Sequence, residues 1–232
     1  MKTIICETGK VAIQAAEKIR EILAAKPDAV LALAAGQTMP PLWARLREMN
    51  AAGELSFRQA RILLVGELLG VAEDKNCRCA LENGLLRQTD VDPGNCFFPD
   101  GDDPAAYDTL IEQLGGIDLA VLGIGFDCHI GYNEPGTLFD TSCHVQKLTD
   151  RTKRQLLQRG FTDADMPDYA VTMGIKTLTD ARDILLLAYG EEKAAAVYEM
   201  LYAKTMPFIP AAFLQIPLEV TVVVDTAAGS RL

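Results

Sequence analysis

The sequence has no basic region. Its 232 residues include 32 acidic and 22 basic side chains, which give a formal net charge of −10, and the lysines and arginines form no cluster. Proteins that bind the phosphate backbone of nucleic acids normally present a basic face, so we do not expect a nucleic-acid partner. A small anionic metabolite is compatible with this charge, because one helix N-terminus and one or two local cations are enough to hold a phosphate.

Long apolar runs and metal-binding cysteine patterns are also missing. The apolar runs are too short to span a membrane, so we expect no membrane partner. Among the six cysteines, Cys77 and Cys79 are too close together for a usual zinc or redox motif, and no second pair completes a metal set. No secretion leader is recognisable ahead of them, and we therefore expect reduced thiols in a cytoplasmic protein.

The chain contains no repeat and no flexible linker, and apolar runs alternate with amphipathic segments almost throughout. Continuous apolar runs indicate parallel strands that are covered on both faces. The pattern therefore predicts one α/β domain over residues 1–232, with an open, twisted, mostly parallel sheet and helices on both faces. The predicted strands are 29–34, 61–65, 96–98, 118–122, 169–173, 183–188 and 218–225. The predicted helices are 10–25, a segment that begins at Pro40, 76–86, 105–114 and 191–204.

The most informative segment is a glycine-rich loop that follows the predicted strand 118–122. It contains one of only two histidines, His129, between Asp127 and Glu134. Open α/β sheets bind their ligands at the carboxyl ends of strands, where this loop is expected. An imidazole titrates near neutral pH, and flanking carboxylates orient it and favour its charged form, so these residues predict a proton-transfer site. The alternative is a polar loop with an incidental histidine.

Two further segments predict an anion site at the same edge of the sheet. The turn Gly36, Gln37 and Thr38 joins a strand to a helix, where backbone amides favour an anion and Thr38 could add a hydroxyl donor. Simple N-capping by Thr38 is the alternative for this turn. Lys193 lies near the start of a later helix and could reach the same anion, or it could face solvent. Glu67 follows another strand and brings a carboxylate to this edge.

These segments resemble motifs of the glucosamine-6-phosphate deaminase/isomerase family, which includes galactosamine-6-phosphate relatives and is related to the 6-phosphogluconolactonases. The string Asp127-x-His129-Ile130-x-x-Asn133-Glu134-Pro135 is similar to the family signature D-G-H-I-x-x-N-E-P, whose N-E-P part the lactonases lack. The similarity covers essentially the whole chain. Other segments that resemble family motifs are Gly36–Thr38, Pro167–Gly174, Gly190–Lys193 and Ile209–Gln215.

The resemblance implies a Rossmann-like fold, a sugar-phosphate substrate, no metal and no other cofactor. In the family scheme, His129 opens the pyranose ring by moving a proton at the ring oxygen, while Asp127 and Glu134 orient the imidazole. A retained base then takes the proton at C2, and ammonia leaves as the ketose forms. The oligomeric state is left open.

The resemblance also implies a phosphate site built from Gly36, Gln37, Thr38 and Lys193. Family members add an arginine that clamps the phosphate. Gln158 aligns with that arginine and Arg159 stands next to it, so we take Arg159 as the candidate.

The sequence departs from the family at several positions. Where the family has the aspartate that serves as the C2 base, this chain has Gly66. Glu67 is the candidate substitute, but alternate side chains of a strand point to opposite faces, so it would need a local twist. Cys128 replaces a signature glycine and adds bulk where the loop is expected to approach substrate. His144 and Gln146 stand where hexameric members bind an allosteric phosphate, so we expect that regulation to be lost and His144 to be structural or exposed.

The leading hypothesis is an isomerase/deaminase homologue that converts glucosamine-6-phosphate or galactosamine-6-phosphate to the ketose 6-phosphate and ammonia. Two other functions stay open. One is a catalytically impaired sugar-phosphate binding or sensor protein, which Gly66 favours and the retained histidine and carboxylates disfavour. The other is a hydrolase similar to 6-phosphogluconolactonase, in which His129 activates water and no C2 base is needed; the N-E-P segment argues against it.

Overall fold

The computed structural model describes all 232 residues and divides the strands between two sheets. The ten strands are β1 (Lys2–Cys6), β2 (Val30–Leu33), β3 (Arg61–Leu64), β4 (Gly66–Leu68), β5 (Cys96–Phe97), β6 (Leu119–Gly123), β7 (His144–Lys147), β8 (Tyr169–Thr172), β9 (Asp183–Ala188) and β10 (Val220–Asp225). Seven of them form a parallel sheet in the order β1-β10-β9-β6-β2-β3-β5. The other three form an antiparallel sheet in the order β4-β8-β7.

Helices cover both faces of the larger sheet. They are α1 (Thr8–Ala25), α2 (Pro40–Ala51), α3 (Cys77–Gly84), α4 (Pro104–Gln113), α5 (Asp150–Gln158), α6 (Ile175–Thr179) and α7 (Ala194–Tyr202). A buried cluster of 34 residues includes the apolar faces of α1, α2 and α3, and a cluster of 30 residues includes those of α4, α6 and α7. Because both clusters are large, neither face of the sheet is left to solvent. The predicted Rossmann-like, mostly parallel architecture is confirmed.

Of the smaller sheet, the sequence pattern predicted β8 but neither β4 nor β7. It also missed β1, α5 and α6. The smaller sheet begins where the chain leaves the larger sheet at Val65: the amide of this residue donates to Leu33 in β2, whereas its carbonyl accepts from Met173 just after β8. Gly66 then starts β4. The segment of β7 alternates between half-buried and exposed positions, so no apolar run marks it.

The strand order determines where the loops meet. β9, β6, β2 and β3 are consecutive neighbours and run in the same direction, so their carboxyl ends lie side by side. The loops that follow these four strands therefore share one edge of the sheet, as the parallel topology predicts. None of the helices is both long and apolar enough to cross a lipid bilayer.

Candidate active site

A cleft lies at the carboxyl ends of these four strands. Its walls come from the loops after β2, β3, β6 and β9, together with residues of α3 and α5 and the residue that follows α5. Six of the predicted site residues line it, which are Gly36, Gln37, Thr38, His129, Arg159 and Lys193. The acidic chain thus presents two cations in this cleft, and the only lining carboxylate is that of Glu192, an exposed residue next to Lys193.

The turn after β2 presents unused hydrogen-bond donors. The backbone amides of Gly36, Gln37 and Thr38 donate to no group of the protein, and the hydroxyl of Thr38 makes no hydrogen bond. Met39 is the N-cap of α2, and no side chain caps this helix, so the N-capping alternative for Thr38 is not what is found. Consecutive free amides at a helix start are a favourable place for a phosphate.

Lys193 enters the cleft from the opposite side, at the N-cap of α7. Its Nζ lies 3.7 Å from the centroid of the Phe126 ring. Burial lowers the pKa of Lys193 to about 8, although the charges of Glu192 and Asp127 act in the opposite direction. A bound phosphate would favour the charged ammonium, because an opposite charge nearby raises the pKa of a lysine.

The imidazole of His129 is hydrogen-bonded to one carboxylate and packs closely against one glycine. Its Nδ1 lies 2.7 Å from Oδ1 of Asp127, and its Nε2 has no hydrogen-bond partner in the protein. Burial alone would raise the pKa of Asp127, but the hydrogen bond and charge of His129 outweigh that effect and the pKa is lowered. A Cβ atom on Gly125 would lie 2.3 Å from the imidazole ring, so only glycine permits this close approach.

Glu134 forms a second, buried carboxylate behind the loop. Its oxygens accept hydrogen bonds from the amide and the hydroxyl of Thr149, both at 3.2 Å. Ligand atoms of Asp127, His129 and Glu134 lie within 4.8 Å of one another, so the structure brings the predicted proton-transfer residues together. Two carboxylates and an imidazole could also hold a divalent cation. In this structure each carboxylate already has a hydrogen-bond partner in the protein: the imidazole for Asp127 and Thr149 for Glu134. The same three groups can therefore act without a metal, as a hydrogen-bonded set that orients the imidazole.

The structure does not bring Glu67 into the cleft. Its carboxylate accepts hydrogen bonds from the amides of Leu68, Cys77 and Arg78, each at 2.7 Å, and so occupies the N-terminus of α3. Burial raises the pKa of Glu67, and the three amides oppose that shift. The candidate role of Glu67 as the C2 base is therefore replaced by a capping role: the side chain points to the other side of β4, as the alternation of a strand requires.

Gly66 does line the cleft, and its surroundings are crowded. A Cβ atom at this position would lie 2.9 Å from the carbonyl oxygen of Val171 and 3.0 Å from Cδ2 of Tyr132. The hydroxyl of Tyr132 lies 3.2 Å from the thiol of Cys77. Burial, followed by the charge of Glu67, raises the pKa of Cys77 to about 11, so this thiol is protonated at neutral pH.

Cys77 and Tyr132 are cleft residues that the sequence analysis missed, and α5 contributes more. The guanidinium of Arg159 faces Tyr132 and Cys77 and forms no ion pair with a carboxylate. Thr152 and Gln155 also line the cleft, and each has a buried polar atom, Oγ1 and Nε2, without a hydrogen-bond partner. Thr152 and Gln155 are three positions apart, and Arg159 follows four positions later, directly after α5. This spacing is the signal that could have revealed one helix face.

Two other predictions concern residues near the loop. Cys128 is buried and does not line the cleft; its sulfur points towards α7, so the expected bulk next to substrate is not found. His144 lies on β7, outside the cleft, where its ring contacts the carbonyl of Ser142 and the side chain of Gln146. The structural or exposed role expected of this second histidine stays a prediction.

Comparison with known proteins agrees with the geometry of the cleft. The family model described as glucosamine-6-phosphate isomerases/6-phosphogluconolactonase matches residues 8–223. The chain belongs to this family. It is 38% identical to a glucosamine-6-phosphate deaminase of Hahella chejuensis over 240 residues, covering all of this chain and 92% of that protein. It is 37% identical to a glucosamine-6-phosphate deaminase of Bacillus pumilus, covering 94% and 93% of the two chains.

Solved structures of the glucosamine-6-phosphate isomerase/6-phosphogluconolactonase family show the same fold. A monomeric glucosamine-6-phosphate deaminase superposes with a TM-score of 0.95 at 33% identity, over the full length of both chains. A 6-phosphogluconolactonase from Trypanosoma cruzi superposes with a TM-score of 0.79 at 20% identity, over all of this chain and 96% of that one. The second likeness concerns the fold alone.

Proposed function

We propose that the cleft binds a hexosamine 6-phosphate and that His129 opens its ring, as the first step of an isomerisation and deamination. The observation that carries this proposal is the shared cleft: the imidazole backed by Asp127 lies in the same cleft as the free amides at Gly36–Thr38 and the ammonium of Lys193. An anionic sugar held by its phosphate would present its ring to the imidazole. The reaction belongs in the cytoplasm, where thiols such as the six unpaired cysteines stay reduced.

The free Nε2 of His129 is the proton-transfer atom in this proposal. With Nδ1 hydrogen-bonded to Asp127, the imidazole is held in one orientation and the carboxylate stabilises the imidazolium that forms. In this step Nε2 takes the proton of the hydroxyl at C1 and delivers it to the ring oxygen. The bond between C1 and the ring oxygen breaks, the carbonyl at C1 forms, and the imidazole ends neutral. Glu134, fixed by Thr149, adds a second negative charge close to the ring. The phosphate is held by Thr38, Lys193 and Arg159.

The proposed proton transfer at C2 lacks an evident base. No carboxylate lines the cleft at Gly66, and the groups there are a phenol, a protonated thiol and a guanidinium, none of which is a base at neutral pH. Removal of a positioned general base typically slows a reaction by about 10²–10⁴-fold. We therefore expect ring opening to be retained and deamination to be slow relative to a family member that has the aspartate.

The same observation favours a second candidate, hydrolysis of a sugar-phosphate lactone. That reaction needs a water activated by an imidazole and an anchored phosphate, and it needs no base at C2. The hydrogen-bond donors near Gly66 would suit the oxyanion that forms when a lactone carbonyl is attacked.

One panel of substrates separates these functions. The protein is incubated with glucosamine-6-phosphate, galactosamine-6-phosphate and 6-phosphogluconolactone, while ammonia, ketose 6-phosphate and acid release are measured. Ammonia with ketose supports the first candidate, and acid release above the spontaneous rate supports the second. Thermal stabilisation by the ligands without any turnover would contradict both and indicate a binding protein.

The variant Gly66→Asp, assayed in the same way, tests whether the missing carboxylate limits deamination. A rise in ammonia formation is expected from whatever fraction of this variant folds. His129→Gln in the Gly66→Asp background is the control, because ring opening should fail whether or not the C2 base is present.

A further inference from the structure

Cys128 has the most unusual backbone conformation in the chain. Its φ of 64° makes it the only residue other than glycine in the left-handed region. An L side chain rarely adopts this conformation, and the family signature has glycine at this position, which can adopt it freely. The side chain of Cys128 must therefore make contacts that hold the backbone there.

Those contacts are made with α7. The sulfur of Cys128 lies 3.3 Å from Oε2 of Glu199 and 3.8 Å from the carbonyl oxygen of Ala196. Burial, followed by the hydrogen bond to Glu199, raises the pKa of Cys128 to about 12, so the thiol keeps its proton and can donate it to one of these acceptors. The backbone is tied as well, because the carbonyl of Cys128 accepts from the amide of Ala211 at 2.8 Å.

The loop and α7 also meet at a second place. Lys193, at the N-cap of the helix, packs its ammonium on the ring of Phe126, two residues before Cys128. Asp127 lies between these two contacts in the sequence, and His129 directly follows them. The segment that holds the imidazole is thus fastened at both sides to the helix that carries the phosphate-binding cation.

We infer that Cys128 and Glu199 are positioning residues, which fix the Asp127–His129 pair relative to Lys193. This inference rests on the proposed function, in which the imidazole and the ammonium act on two ends of one sugar phosphate. Neither Cys128 nor Glu199 lines the cleft, so neither touches the substrate. They act by holding the loop, and their loss should slow the proton transfer more than it weakens phosphate binding.

Four variants test the inference. Cys128→Gly removes the thiol and relieves the backbone, Glu199→Leu removes the acceptor, and Cys128→Ser keeps a donor. Cys143→Ser is the matched control, because Cys143 is also a buried thiol but contacts Thr177 on another part of the fold. For a substrate that the panel identifies, we expect Cys128→Gly and Glu199→Leu to lower kcat by about threefold to tenfold with little change in KM, the range that corresponds to one hydrogen bond. The double variant should be no slower than either single one.

A second measurement does not depend on turnover. With only two histidines in the chain, the Nδ1 proton of His129 can be followed by NMR in protein labelled at histidine, and His144→Gln assigns it. We expect a protected signal in the wild type, Cys128→Ser and Cys143→Ser, and a broadened or rapidly exchanging one in Cys128→Gly and Glu199→Leu. An unchanged His129 signal in both of the latter, in folded protein, overturns the inference. A lost signal without turnover of any substrate leaves the inference standing and contradicts the proposed function instead.

Discussion

The two sides of the cleft differ in whether their charged groups have partners of opposite charge or hydrogen-bond partners. On the His129 side, each acidic group has a donor: Asp127 is bonded to the imidazole and Glu134 to Thr149. On the Gly66 side no carboxylate faces the cleft, while Arg159 lies near a phenol and a thiol without an acidic partner. The first side is complete for proton transfer in the absence of ligand. The second still has a cation and several donors to satisfy, and an anionic or oxygen-rich ligand is what would satisfy them.

The largest expected effect is the loss of turnover when His129 is replaced, on the side of the cleft that is complete for proton transfer. His129→Gln removes the only imidazole in the cleft, and we expect turnover of any accepted substrate to fall by about 10²–10⁴-fold. The affinity for inorganic phosphate should hardly change, since the amide turn and Lys193 remain. Steady-state kinetics and calorimetry measure the two quantities. His144→Gln is the control, and an equal loss in both variants would contradict the proposed role of His129.

Lys193→Met tests the cation that packs on Phe126, on the His129 side of the cleft. A hydrogen bond to a charged group is worth about 1.5–3 kcal/mol, so phosphate affinity should fall by about 10–100-fold. The variant without ligand should unfold at a higher temperature than the wild type, because a half-buried ammonium with a lowered pKa has been removed. Lys204→Met, at an exposed lysine, should change neither value. A Lys193→Met protein that binds phosphate normally would show that the anion site lies elsewhere.

Gly66→Ala tests how crowded the second side is. The new Cβ would approach a backbone oxygen to 2.9 Å, and overpacking of this kind costs about 1–3 kcal/mol of unfolding free energy. Urea denaturation measures the loss. Gly36→Ala is a matched control, because nothing lies within 4 Å of a Cβ atom at that position. Equal stability of the wild type and Gly66→Ala would mean that Tyr132 and β8 yield easily.

The smallest expected effect is a pH dependence of phosphate binding. The lowered pKa of Lys193, about 8, means that the unliganded protein loses this charge as the pH rises above that value. Binding of phosphate then requires uptake of a proton, so the affinity should be about tenfold weaker near pH 9 than near pH 7. Calorimetry in buffers of different ionisation enthalpy detects the proton uptake. The Lys193→Met variant should lack this dependence, and the same slope in both proteins would assign it to another group.

The sequence could predict what depends on local pattern. Continuous apolar runs such as 183–188 identified buried parallel strands, and the glycine-rich loop after 118–122 lies at the edge of the sheet where the cleft is found. The two outer strands of the smaller sheet could not be predicted in this way, because β4 has three residues and β7 is half exposed. Such strands are defined by their partners rather than by their own composition.

The same distinction between local pattern and tertiary contact applies to the residues of the candidate site. Residues that belong to the signature, such as Asp127 and His129, were predicted together and are found together. Tyr132, Cys77 and Thr152 come from three separate segments, and only the folding of β4 and α5 against the main sheet brings them into one cleft. The direction of the Cys128 side chain was the hardest feature to predict, because its sulfur points away from the cleft towards α7. Glu67 also points away, as the alternation of a strand had indicated.

The passage of the chain between its sheets at Val65–Gly66 has a consequence for how new chemistry could be built into the cleft. Tyr132 and a main-chain oxygen of β8 fill the space beside Gly66, so a carboxylate cannot be added there by one substitution without displacing these neighbours. Redesign of this end of the cleft therefore starts more easily from the phenol, the thiol and the guanidinium already in place.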